Sequence, residues 1–271
     1  MNTRLMLCFG LALVLIAGVL FWMYWPGFTG IRGAEAVEIA REAPFLMPDT
    51  APWREFLAAV VTEEGLVDYE EAGRMRPLLA TYLEEVARAT PARFAGDNER
   101  LAFYINAYNA LVIEGVLRHA PMASVEEAGP FHKFFRERAY LIAGARVSLH
   151  GLETKVIRRY NPLLHFGLNC ASRSCPPLGG TPFEAATLVD QLERAAAEFI
   201  ANETFNTFDP ETGTWRLSKI FQWYEKDFGG PEAVAALIGK YHPAGFPPGA
   251  AVEFREYDWR LNRGSVAASQ P

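Results

Sequence analysis

The sequence predicts an α+β fold: helices packed on a small antiparallel sheet, behind one N-terminal transmembrane helix. Three observations predict it. The run LMLCFGLALVLIAGVLFWMYW, residues 5–25, carries no charge and no proline. Beyond it, segments with helical apolar spacing flank short alternating segments broken by Gly and Asp. One segment, ERLAFYINAYNALVIEGVLRH at 99–119, is apolar nearly all round and therefore belongs at the centre of a core.

A membrane span needs about 20 apolar residues, and the run at 5–25 is that long. Trp22, Tyr24 and Trp25 stand at its far end, where amphipathic rings favour the headgroup layer. A cleaved signal peptide is the rival reading, but its apolar core spans only about 7–15 residues before a small-x-small site. No such site follows Trp25. Leu7 before Cys8 stands where a lipoprotein signal needs a small residue, so Cys8 reads as an ordinary membrane residue. Arg4 and the α-amine keep the amino end inside. The expected location is a single pass through an inner membrane, with the acidic remainder in the periplasm. A net charge of -6 argues against a nucleic-acid partner. The division that follows is an anchor at 1–26, a Gly-, Ala- and Pro-rich linker at 27–52, one α+β domain at 53–263 and a disordered tail at 264–271.

Within the domain, WREFLAAVVTEEG places Trp53, Phe56, Leu57, Val60 and Val61 on one helical face. Residues 78–89 form a second helix and 99–119 the third. YLIAGARVSL at 140–149 reads as a hairpin, followed by a short helix ending before Pro162. LLHFGLNC reads as an apolar strand ending at Cys170. Thr181-Pro182-Phe183-Glu184 has the form of a capping box and opens a helix to about Ala201. FNTFDPETGTWRLS is a second hairpin, Pro231 opens a late helix, and 252–261 is a closing strand.

The polar residues inside apolar segments carry the chemistry. Asn106 and Asn109 share a face of the buried helix. Buried amides must be hydrogen-bonded, so each either ties the helix to a loop or lines a site. The stretch HFGLNCASRSCPPL joins His165, Cys170, Ser174 and Cys175. In an oxidising compartment Cys170 and Cys175 invite a disulfide. Zinc needs about four ligands, and only three stand nearby unless His150 joins; no metal and no cofactor is expected. A cysteine nucleophile needs a base, and His165 and His150 are the candidates.

Six blocks then carry a resemblance: GLVDYEEA, which includes Tyr69, RLAFYINAYNALVI, SLHGLETKVIRR, LLHFGLNCASRSCPPL, LSKIFQWYEKDFG and YDWRLN. In this order they resemble the bacterial and plant domain of unknown function family numbered 547. The chain departs from that pattern at Thr154, where the family commonly has His after its Glu, and at His150, usually another residue. The resemblance extends by analogy to thiol enzymes of the papain and transglutaminase type. It implies a Cys-His hydrolase or acyltransferase acting on peptide or amide bonds. Cys175 is the nucleophile, His165 the base, and Glu153 or Asn106 holds the imidazole. Asn109, Cys170, Ser174 and Tyr69 are the expected binding residues, and the expected periplasmic location points to a peptide or cell-wall fragment as substrate. The alternative is a non-catalytic membrane-tethered domain that binds a peptide or protein, stapled by a Cys170–Cys175 disulfide. A thiol-redox protein is a third class, without the usual Cys-x-x-Cys.

Overall fold

The computed structural model describes residues 48–90, 94–130 and 132–266. The first helix among the described residues is α1, Ala51–Val60, which opens inside the expected linker. Its apolar face buries Trp53, Phe56, Leu57 and Val60. Helix α2, Tyr69–Arg74, is capped by the Asp68 carboxylate, which accepts from the amides of Glu70 and Glu71. Helix α3 is Arg76–Arg88, and its Tyr82 stacks on Trp53 at 5.5 Å.

Helix α4, Asp97–His119, is the central element. Every residue from Ile105 to Val116 is buried, as its nearly all-round apolar composition requires. Elements pack on it from several sides. Gly115 shows how closely: a Cβ there would come 2.8 Å from the Phe134 ring. Phe134 sits on the short helix α5, Lys133–Arg136.

Strands β1, Ala139–Ile142, and β2, Ala145–Ser148, form the expected hairpin. Its two-residue turn has positive φ at both Ala143 and Gly144, as a primed hairpin turn demands. Ser148 caps helix α6, Leu149–Leu152, by accepting from the Gly151 amide. The helix then widens into a π turn, Glu153–Ile157, closed by the Arg158 amide on the Glu153 carbonyl at 3.0 Å.

The expected strand over LLHFGLNC does not form. Pro162 and Asn161 set the backbone instead: the Asn161 side chain accepts from the Leu163 amide, and residues Pro162–Phe166 coil into a 3-10 turn. Helix α7, Leu188–Ala201, starts later than the apparent capping box predicts. The Glu184 amide is satisfied by Gln191 Oε1, so residues 181–187 stay irregular.

The second sheet has the order β3-β4-β5, with β3 at Thr207–Asp209, β4 at Thr214–Leu217 and β5 at Ala251–Phe254. The β3–β4 hairpin is antiparallel, but β4 and β5 run parallel, so the sheet is mixed and not wholly antiparallel. Between them lie α8, Lys219–Trp223, α9, Glu225–Phe228, and α10, Pro231–Tyr241. The expected closing strand is thus only four residues long. Beyond it the chain makes single bridges from Arg260 to Ser124 and from Leu261 to Ser172. Gly264 and Val266 bond to Val67 and Asp68, so the start of the expected disordered tail is held.

The anchor expected at 1–26 lies outside the described residues. Among those described, no helix is long and apolar enough to cross a membrane. The single-pass inner-membrane location read from the sequence is withdrawn on that finding.

Candidate functional site

The cysteine loop is built from asparagines. Asn109 on α4 donates to the Gly167 carbonyl at 2.9 Å and accepts from the Asn169 amide at 2.9 Å. Asn169 in turn donates to the Pro176 carbonyl and accepts from the Ala171 amide and from Asn262. One side chain thereby fastens both ends of the loop. Ala171 adopts φ 63 within it, a left-handed conformation uncommon outside glycine. From the other side, the Leu178 amide donates to the Gly65 carbonyl at 3.0 Å.

Cys170 and Cys175 form a disulfide with a Cα–Cα distance of 5.9 Å. The two sulfurs have different surroundings. Cys175 is buried, and its Sγ lies 2.8 Å from the Cys170 amide, which donates to it. Cys170 is half-buried, and its Sγ lies 2.9 Å from Ser172 Oγ and 3.1 Å from Tyr257 Oη.

Both cysteines open on a cavity of about 320 Å³. Tyr108, Glu153, Arg158, His165, Tyr224 and Trp259 are among its other walls. The 3-10 turn brings His165 there. Its Nε2 lies 2.9 Å from Asp227 Oδ2, and its ring stacks on Tyr224 at 3.8 Å between centroids. Arg158 grips the same Asp227 carboxylate with two hydrogen bonds of 2.5 and 2.8 Å. Neither cysteine is a hydrogen-bond partner of His165. Burial pulls the imidazole down to about 4, against the opposing pull of Asp227, so it is neutral near pH 7. Arg158, followed by His165, holds Asp227 below the usual carboxylate range despite partial burial.

Glu153 reaches the cavity from the π turn, an insertion frequent at functional sites. It accepts a 2.8 Å hydrogen bond from Tyr224 Oη, and burial raises its carboxyl above the ordinary value. It is therefore bonded to the tyrosine that backs the imidazole, not to the imidazole. The position expected for it or for Asn106, beside the His165 ring nitrogen, is filled by Asp227.

The remaining expected residues stand elsewhere. Asn106 pairs with both the amide and the carbonyl of Phe183, away from the cavity wall. Ser174 accepts from the Asp258 amide at 2.8 Å and borders a different hollow. Tyr69 is buried and donates to Asn262 at 2.7 Å, two contacts from the cysteine loop. His150 does line the cavity, together with His132 and Arg136. Sequence reasoning passed over Asp227, Arg158, Tyr224, Tyr257 and Asn169. Their only signal was membership in the quoted blocks.

Residues 92–200 match the model of a family described as protein of unknown function, DUF547. The match supports the family resemblance and takes in three of the six blocks, those at 100–113, 148–159 and 163–178. It covers Asn106, Asn109, Glu153, His165 and both cysteines, while Asp227, Tyr224 and Tyr257 fall beyond it. No curated protein and no solved structure matches the chain.

Proposed function

We propose that this DUF547-type domain is a thiol hydrolase or acyltransferase for peptide or amide bonds, active once a dithiol reduces the Cys170–Cys175 disulfide. The observation that carries this reading is the convergence of both cysteines, His165 and Glu153 on one cavity. The analogy with papain- and transglutaminase-type enzymes belongs to this reading, since a thiol, an imidazole and a carboxylate are its parts. Cys170 is the better-placed nucleophile. It is the more exposed of the two, and two hydroxyls stand beside its sulfur to stabilise a thiolate.

In the reduced protein Cys170 gives its proton to His165, directly or through one water, and its sulfur attacks the carbonyl carbon. Because Nε2 faces Asp227, Nδ1 is the basic nitrogen. The C–N bond breaks, the leaving nitrogen takes the proton from His165, and a thioester remains. Water or an amine then attacks the thioester and restores the thiol. Asp227 fixes the tautomer, the part of the third member of a triad. Tyr224, held by Glu153, keeps the ring in its plane.

A second reading is a non-catalytic peptide- or protein-binding domain. The closed disulfide favours it. Acetylation by p-nitrophenyl acetate, followed by intact mass and peptide mapping, separates the two. The thiol-enzyme reading expects fast acetylation at Cys170 in the reduced, folded protein, none in the oxidised protein, and a slower reaction in His165→Gln. If the reduced folded protein reacts no faster than the same chain unfolded in urea, the binding reading stands in its place.

A further inference from the structure

Charge is unevenly spread around the cavity. The chain carries a net charge of -6, yet its lining includes Arg136, Arg158, His132 and His150 against one acid, Glu153. The fields overlap: burial first, and then the charges of Arg136, Arg158, His132 and Lys155, lower the His150 imidazole.

Not all of this charge is available to a ligand. Arg158 is neutralised by its two bonds to Asp227. His150 is lowered and so neutral near pH 7. Arg136 differs. It is exposed at the end of α5 and makes no ion pair among the described residues. The adjacent Glu137 is engaged by Lys133 at 3.4 Å. One full, unmatched guanidinium therefore stands at the wall of a small cavity. A planar guanidinium with no carboxylate partner presents a fork of donors that fits a carboxylate.

The opposite requirement comes from the aromatic wall. Trp223 and Trp259 stack, and Tyr257 lies tilted against both, with centroids 4.4–5.8 Å apart. His132 lies 5.1 Å from the Trp259 ring and so connects the cationic and aromatic parts. Trp223 keeps 45% of its surface exposed although it is among the largest apolar side chains. Exposed apolar surface inside a concave site suits the apolar body of a ligand.

We infer that the cavity binds a monoanionic ligand with an apolar body, its carboxylate on Arg136 and its body against Trp223 and Trp259. The inference deepens the proposed function by naming a substrate class, a peptide or acyl amino acid with a free carboxylate. It rests on that reading only for the identity of the cavity as the site. A single unmatched cation selects a monoanion over a more highly charged group.

The test is equilibrium binding to the oxidised protein, where no thiol chemistry occurs, so its outcome is independent of catalysis. N-acetyl-phenylalanine and N-acetyl-phenylalaninamide are titrated while tryptophan fluorescence is read. The acid should bind at least about tenfold tighter than the amide, a difference of about 1.4 kcal/mol. Arg136→Gln, at an exposed position that leaves folding intact, should erase that preference and leave the amide affinity unchanged. Equal affinities in the wild type, a preference retained in Arg136→Gln, or no saturable change with either compound would each overturn the inference.

Discussion

His165 and Asp227 are joined by a 2.9 Å hydrogen bond across 62 residues of chain, and Arg158 closes on the same carboxylate. The bond commits the Nε2 nitrogen of the imidazole to Asp227. Asp227→Asn keeps the size of the side chain but removes the charge. It should slow Cys170 acetylation by about 100-fold, the lower end of a general-base contribution. It should also cost about 1–3 kcal/mol, because Arg158 loses its partner. Acetylation kinetics and urea unfolding of the same sample check the two parts.

The stability of the domain should fall as pH drops from about 6.5 to about 4. The unfolded imidazole takes up a proton first, since burial keeps folded His165 neutral down to about 4. The contribution is present above the unfolded value and is lost through that window, about 3 kcal/mol in full. Glu153 acts with opposite sign, because its raised carboxyl makes the folded state lose stability as pH climbs through it. Asp227, lowered by Arg158, gives way only at more acidic pH. Urea unfolding at pH 7 and pH 4.5 should show a shallower dependence in His165→Gln than in the wild type.

Asn109→Leu and Asn106→Leu should both cost about 1–3 kcal/mol, each leaving backbone groups unpaired. They should differ in what else they change. Asn109 holds the Gly167 carbonyl and the Asn169 amide, so its loss should speed reduction of the disulfide by dithiothreitol. Asn106 holds Phe183, so its loss should leave that rate at the wild-type value. Thiol release followed by mass spectrometry distinguishes them.

Gly65→Ala should destabilise by more than about 1 kcal/mol. Gly65 has φ +73, and an added Cβ would lie 2.4 Å from the Pro177 Cβ, just past the second cysteine. Unfolding by urea gives the magnitude. A perturbed reactivity of Cys175 in the same variant would report the shift of the loop.

Tyr257→Phe removes one hydroxyl from the Cys170 sulfur. In the reduced protein the Cys170 thiolate should become less stable, and alkylation by iodoacetamide near neutral pH should slow by about threefold to tenfold. Rate against pH, resolved by peptide mass, is the measurement.

How much of this was legible depended on how local each signal is. Helix α4 and both hairpins announce themselves, since their apolar period and turn residues act within the segment. The segment at 163–170 misled because a short apolar run fits a strand and a buried turn equally well. Asn161 and Pro162 decided it. The parallel β4–β5 pair joins Thr214 to Ala251 and leaves no trace in either strand alone. The convergence of His165 with the cysteines was readable from the blocks, but Asp227 was not. In WYEKDF it is one of three consecutive charged residues, and nothing in that run says which of them turns inward. Its partners Arg158 and His165 are distant in sequence, so only the folded chain selects it.

The turn Pro162–Phe166 is seated in two places at once. Leu164 belongs to the core around α4, Phe166 to the core around Phe199, Trp215 and Phe221, and His165 lies between them. Neither core can loosen without releasing one neighbour of the imidazole. In hydrogen-exchange terms, the amides of Gly167 and Leu168, which close on the Leu164 carbonyl, should open with the whole domain and not by local fraying. His165 is then among the last parts of the fold to be lost, even where the cavity around it stands open to solvent.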